Sequence, residues 1–121
     1  MKARIIVIDD DAVACEFLQE VLQRDGYDVS SFTSASAALK QNLADYDLLM
    51  SDIRMPGMDG IAFGQQLVGL PLKRRPASLL VTSYPEALAP DALVSTGYFD
   101  VLAKPLSPSQ LFDAVQDTLS G

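Results

Sequence analysis

The 121-residue chain contains no histidine. That absence excludes His-based zinc sites, Ser-His-Asp and Cys-His nucleophile relays, and imidazole general-base chemistry. Tryptophan is also missing, and the single cysteine, Cys15, cannot form an internal disulfide. Cys15 lies in a helical pattern and reads as a small packing residue. Neither GxGxxG nor GxxxxGK[ST] occurs, so the common backbone phosphate cradles are excluded. No apolar run exceeds four residues, far short of a membrane span. The opening MKARIIVIDDD lacks the apolar core and cleavage site of a signal peptide. The expectation is a cytoplasmic chain with no membrane insertion. Positive charge is scarce: 9 Lys and Arg face 16 Asp and Glu, a net charge of −7. Phosphate-backbone recognition needs clustered cations, so direct nucleic-acid binding is not expected. The one basic cluster, Lys73-Arg74-Arg75, sits between Pro71 and Pro76 and reads as a solvated loop.

What is present is a chain with 49% hydrophobic residues, enough for one core, and residues 1–121 read as a single domain. Arg4 to Ile8 is a short β-branched run of the kind buried on both faces. From Ala12 the period becomes helical, through Ala14, Phe17, Leu18, Val21 and Leu22, and Gly26 stands where a helix-ending glycine belongs. Val29 to Phe32 predicts a second strand, and Ser34 caps a short helix expected to run to Leu43. Leu48 to Ser51 is a third strand, and residues 55–60, MPGMDG, form a turn-rich loop. Ile61 to about Val68 is helical, and Ala77 to Thr82 is a fourth strand. Residues 86–96 have helical composition interrupted by Pro90, which predicts a helix broken or restarted there and ended by Gly97. Asp100 to Ala103 is a fifth strand. Ser107, Pro108 and Gln110 then spell a capping box with proline at the first helical position. Leu106 and Leu111 flank it as a hydrophobic staple. Five alternations of strand and helix predict an α/β fold, a mainly parallel sheet with helices on both faces.

In such folds ligands gather at the carboxyl ends of the strands. Those ends deliver Asp9 and Asp10, then Asp52, then Thr82 and Ser83, then Lys104 followed by Pro105. Neighbouring carboxylates repel unless a counter-charge is supplied. Taken alone, Asp9 and Asp10 could simply cap the next helix; joined by the other strand ends, they point to a shared hard cation with oxygen ligands, for which Mg²⁺ is suited. Lys104 is a compact positive charge for a phosphoryl oxygen, and Thr82 can donate a hydrogen bond. Asp52 is placed to act as a carboxylate nucleophile that becomes an acyl phosphate. Asp11 reads as a helix N-terminal acid, and Asp59 as a turn residue before Gly60.

The segments VIDDD at 7–11, SDIRMPGMDG at 51–60, LLVTS at 79–83 and AKP at 103–105 stand in this order and spacing. Together they resemble the receiver domain of bacterial two-component response regulators over essentially the whole chain. The stretches TSYPEALAP and LAKPLSP are similar to receivers attached to hybrid sensor kinases. The resemblance implies a flavodoxin-like (βα)5 fold with strand order 2-1-3-4-5. It implies phosphorylation of Asp52 by a partner phosphohistidine, carried on a histidine kinase or histidine phosphotransfer domain. Mg²⁺ would be bound by Asp10 and Asp52, by Asp9 mostly through water, and by the Arg54 backbone carbonyl. The Lys104–Pro105 bond would be cis, and a downstream output domain or protein would receive the signal.

Two rivals are weighed against this reading. A carboxylate-nucleophile phosphohydrolase of the haloacid-dehalogenase kind needs a DxDxT-like motif; DDDAV offers Asp9 and Asp11 with no threonine, and 121 residues leave no cap domain. A degenerate receiver would bind partners without phosphorylation, but Asp9, Asp10, Asp52, Thr82 and Lys104 are all in place. One departure stands out. The resemblance leads one to expect Tyr or Phe three residues before the lysine, where this chain has Val101, so a switch reported by an inward-turning ring is not expected. Arg54 and Tyr84 flank the site as candidates for tuning acyl phosphate lifetime.

Overall fold

The computed structural model describes residues 3–52, 60–70, 76–83, 98 and 100–120. Strands β1 (Arg4–Ile8), β2 (Asp28–Phe32), β3 (Leu48–Asp52), β4 (Ala77–Thr82) and β5 (Asp100–Ala103) form one sheet in the order β2-β1-β3-β4-β5, with every neighbouring pair parallel. This is the expected flavodoxin-like arrangement. Its order reverses between β1 and β3, where two crossovers leave in opposite directions and open a crevice. β1 and β3 occupy the centre, and the apolar sequence of β1 follows from that position: Ile5, Ile6, Val7 and Ile8 are all buried.

Alternation along the strands divides the core in two. On one face Ile5, Val7, Leu48, Met50, Leu79 and Val81 pack against helix α1 (Ala12–Arg24) and the C-terminal helix (Pro108–Ser120). On the other, Ile6, Ile8 and Leu49 pack against α2 (Ala35–Leu39) and α3 (Gly60–Gly69), with Phe63 fully buried. Two apolar surfaces on a central parallel sheet require two helical layers, and the helices' own periodicity provides them.

The local signals place the helix ends. Asp11 caps α1 by accepting the Val13 N–H at 2.9 Å. At the other end Gly26 adopts φ +94°, and the Tyr27 and Gly26 amides return to the carbonyls of Leu22 and Gln23 at 3.1 and 3.0 Å. That Schellman geometry is why a glycine stands there. Ser107 and Gln110 form the reciprocal capping box: Ser107 Oγ accepts the Gln110 amide at 3.2 Å, and Gln110 Oε1 accepts the Ser107 amide at 2.9 Å. Leu106 and Leu111 both join the first core cluster, as a staple would.

The helix expected to reach Leu43 is shorter than that. α2 ends at Leu39, the chain tightens into i→i−3 hydrogen bonds, and Leu43–Asp45 forms a separate 3₁₀ turn. The physical reason is the polar Asn42, which falls where the buried face of Ala35 and Ala38 would continue. The turn instead delivers Leu43 to the core, where it is buried. The expectations for the MPGMDG loop before Gly60, Asp59, the Lys73 cluster, the interrupted helix at 86–96 and Gly97 lie outside the described residues.

Candidate functional site

Each strand end contributes because parallel strands finish together at one edge of the sheet. The Asp9 amide donates to the Phe32 carbonyl at 3.1 Å, extending the β1–β2 ladder one residue past β1. The Lys104 amide donates to the Thr82 carbonyl at 2.8 Å and does the same between β4 and β5. Asp52 ends β3, paired in register with Val81. Thr82 ends β4 opposite Ala103 and is buried. The Lys104–Pro105 bond is cis, as the resemblance implied.

The carboxylates converge. Oxygens of Asp9, Asp10 and Asp52 lie within 4.8 Å of one another. Their burial differs: Asp9 is 2% exposed, Asp52 is half-buried, and Asp10 faces solvent. Asp9 is held on every side. Its Oδ1 accepts the Asp11 amide at 2.9 Å, and its Oδ2 accepts Lys104 Nζ at 2.7 Å. Its carbonyl accepts the Cys15 thiol at 3.2 Å. Lys104 Nζ also reaches Asp52 Oδ2 at 3.0 Å.

These contacts set the protonation. Burial works against the Lys104 ammonium, but its hydrogen bonds to Asp9 and Asp52 outweigh that cost and hold its pKa above the ordinary lysine value. Burial pushes the Cys15 thiol up, and the Asp9 charge adds to the rise. Three carboxylates against one ammonium leave a formal charge of −2. With hard oxygen donors this close, that is the charge and donor set a divalent cation fits.

Five of the six residues expected at the site are thereby at one edge: Asp9, Asp10, Asp52, Thr82 and Lys104. The sixth, Arg54, lies outside the described residues, as does Tyr84. Two contributors escaped sequence reasoning. Cys15, read as packing, also fastens the Asp9 backbone, and the Asp11 backbone amide holds the Asp9 carboxylate. The adjacency of three acids hinted at the second; nothing in the sequence signals the first.

Residues 5–116 match the family model for the response regulator receiver domain. The chain belongs to that family. Receiver domains serve two-component systems as signalling switches, and phosphorylation on an aspartate is the family's function. Among curated proteins the receiver is similar to the transcriptional regulatory protein ZraR of Escherichia coli, with 37% identity over 95% of this chain and 25% of ZraR. It is also similar to the C4-dicarboxylate transport transcriptional regulatory protein DctD of Rhizobium meliloti, with 34% identity over 93% of this chain and 24% of DctD. The chain therefore spans about a quarter of the length of the curated relatives it matches. Among solved structures, a putative response regulator from Chloroflexus aurantiacus superimposes with a TM-score of 0.89 at 30% identity, covering 100% of both chains. The receiver domain of a signal transduction histidine kinase from Syntrophus aciditrophicus gives 0.83 at 29% identity, over 98% of this chain and 91% of that one. Among the described residues no helix is long and apolar enough to cross a membrane.

Proposed function

We propose that residues 1–121 form one receiver module whose phosphoacceptor is Asp52, with a histidine kinase or histidine phosphotransfer domain as donor. The observation that carries this reading is the Lys104 ammonium bound to both Asp9 and Asp52 at the mouth of the central strands. A carboxylate in that position is held in one orientation and remains half-buried, so an incoming phosphoryl group can meet it. An Asp52 oxygen attacks phosphorus, and the N–P bond of the donor phosphohistidine breaks. Its electrons return to the imidazole nitrogen, and Asp52 becomes an acyl phosphate. Lys104 then pairs with one phosphoryl oxygen, and the Thr82 hydroxyl donates to another. Mg²⁺ held by Asp9, Asp10 and Asp52, together with the Arg54 carbonyl, supplies charge neutralisation for the phosphoryl oxygens when bound.

The output of such a module is a change in affinity for a downstream domain or protein, not turnover of a small substrate. Asp11 bears on the phosphohydrolase alternative. Its side chain is spent on the N-cap of α1, so it is not positioned as a general acid. The test is incubation with acetyl phosphate and Mg²⁺, read by intact mass. One phosphoryl group should be added, and Asp52→Asn should abolish it. Full labelling of that variant refutes Asp52 as acceptor, and sustained hydrolysis of unrelated phosphate esters refutes the switch.

A further inference from the structure

β3 reads Leu48-Leu49-Met50-Ser51-Asp52 and runs through the middle of the parallel sheet. A strand buried on both faces is expected to be continuously apolar. Ser51 breaks that pattern one residue before Asp52. It is 1% exposed and stands in register with Ile8 of β1 and Leu80 of β4, both buried. Side chains alternate along a strand, so Ser51 shares the Leu49 face and the Asp52 carboxylate leaves on the other. A buried hydroxyl costs free energy unless it finds a partner. This one donates to the carbonyl oxygen of Asp52 at 3.0 Å. An alanine would fill the same place without any polar atom to satisfy. What the hydroxyl adds is a hold on the main chain of Asp52 itself.

We propose that Ser51 is a positioning residue for phosphoryl acceptance. Its hydroxyl anchors the Asp52 carbonyl from the opposite face of the sheet and so fixes ψ of Asp52. The allowed rotamers of a side chain depend on its own φ and ψ. Anchoring the carbonyl therefore restricts the directions in which the carboxylate can point. The direction selected is the one that brings Oδ2 to 3.0 Å from Lys104 Nζ. Ser51 does not touch the phosphoryl group; it acts through the orientation of the oxygen that attacks. This rests on Asp52 being the acceptor, as proposed above, and adds a residue that holds it ready.

The experiment measures the rate of labelling by acetyl phosphate at saturating Mg²⁺, followed by intact mass, for wild type, Ser51→Thr, Ser51→Val and Ser51→Ala. Thr and Val are nearly identical in shape, suit a strand equally and differ in the hydroxyl. Ser51→Thr should stay within about twofold of wild type. Ser51→Val and Ser51→Ala should label about tenfold more slowly, since a small misplacement of a reacting group is costly in rate. Equal rates for folded Ser51→Thr and Ser51→Val, with wild type labelling normally, overturn the positioning role and leave the acceptor standing. Failure of wild type to label overturns the acceptor, and the proposal with it. Because the added methyl enters a buried place and can disturb it, a second measurement compares wild type with Ser51→Ala alone. Three-bond NMR couplings about χ1 of Asp52 should report one rotamer in wild type and averaging between rotamers in Ser51→Ala. The same single rotamer in both overturns the proposal, whatever the melting temperatures.

Discussion

Asp9 and Asp10 are adjacent in sequence and opposite in consequence, which predicts two melting shifts of opposite sign in the metal-free protein. Asp9 is 2% exposed, accepts the Asp11 amide and is ion-paired to Lys104 at 2.7 Å. Asp9→Asn keeps the shape and one acceptor but leaves the ammonium without a buried partner. Breaking a buried pair costs about 3–5 kcal/mol. Lys104 keeps Asp52 and is partly solvated, so about 2 kcal/mol is the reasonable figure here. Asp10 faces solvent, and its carboxylate lies within 4.8 Å of the other two. At that distance each like-charge pair costs about 0.9 kcal/mol at the dielectric of water. The attraction of Lys104 offsets part of this, so Asp10→Asn should gain about 0.5–1 kcal/mol. For a domain of this size 1 kcal/mol moves Tm by about 4 °C. Melting followed by circular dichroism in EDTA should then show Asp9→Asn about 8 °C below wild type and Asp10→Asn about 2–4 °C above it. Equal shifts, or destabilisation by Asp10→Asn, refute the division of labour between a structural and a repulsive carboxylate.

Four further outcomes are expected. Cys15 is buried with its pKa raised, so a thiol reagent should label native protein far more slowly than unfolded protein. Because the folded state holds the Cys15 and Lys104 protons more tightly than the unfolded one, their contribution is intact below the unfolded pKa values. Denaturant midpoints should therefore fall as pH rises past about 8.5 for the thiol, and further above about 10.4 for the ammonium. Ser107→Ala removes one half of the capping box and should cost about 1 kcal/mol by urea unfolding, with Gln110→Ala non-additive to it. Val101 is half-buried opposite Leu80 and has no ring to rotate, so beryllofluoride with Mg²⁺ should shift amides at Thr82 and Ser83 more than those at 101–103. Equally large shifts through β5 would show that no aromatic is needed there.

The elements that sequence reading located well are those whose ends are chemically abrupt. Ile8 to Asp9 passes from fully buried β-branched carbon to a carboxylate, and Ser107-Pro108-Ser109-Gln110 writes the start of a helix in four letters. The five candidate site residues were legible for the same reason: each ends or follows a strand, and a parallel topology brings strand ends together. What failed was an end with no punctuation. α2 stops at Leu39 without glycine or proline, because a single polar residue, Asn42, interrupts the buried face three residues later. The pairing of Lys104 with Asp9 and Asp52 was also hidden. Sequence shows a lysine suited to a phosphoryl oxygen; only the tertiary structure shows which oxygens it binds beforehand.

The register between β4 and β5 has a consequence for how this chain tolerates insertions and deletions. Thr82 stands opposite Ala103, and the Lys104 amide is tied to the Thr82 carbonyl. Successive side chains on a strand point to opposite faces. A one-residue slip of β5 would thus carry the lysine to the far side of the sheet while the strand's main-chain pairing stayed intact. Length changes between residues 83 and 100 are harmless only if β5 re-enters in the same frame. A shifted frame would misdirect the cation, leave the buried Asp9 without its partner and turn Leu102 away from the core, so gain or loss of residues there should impair phosphorylation and lower stability together.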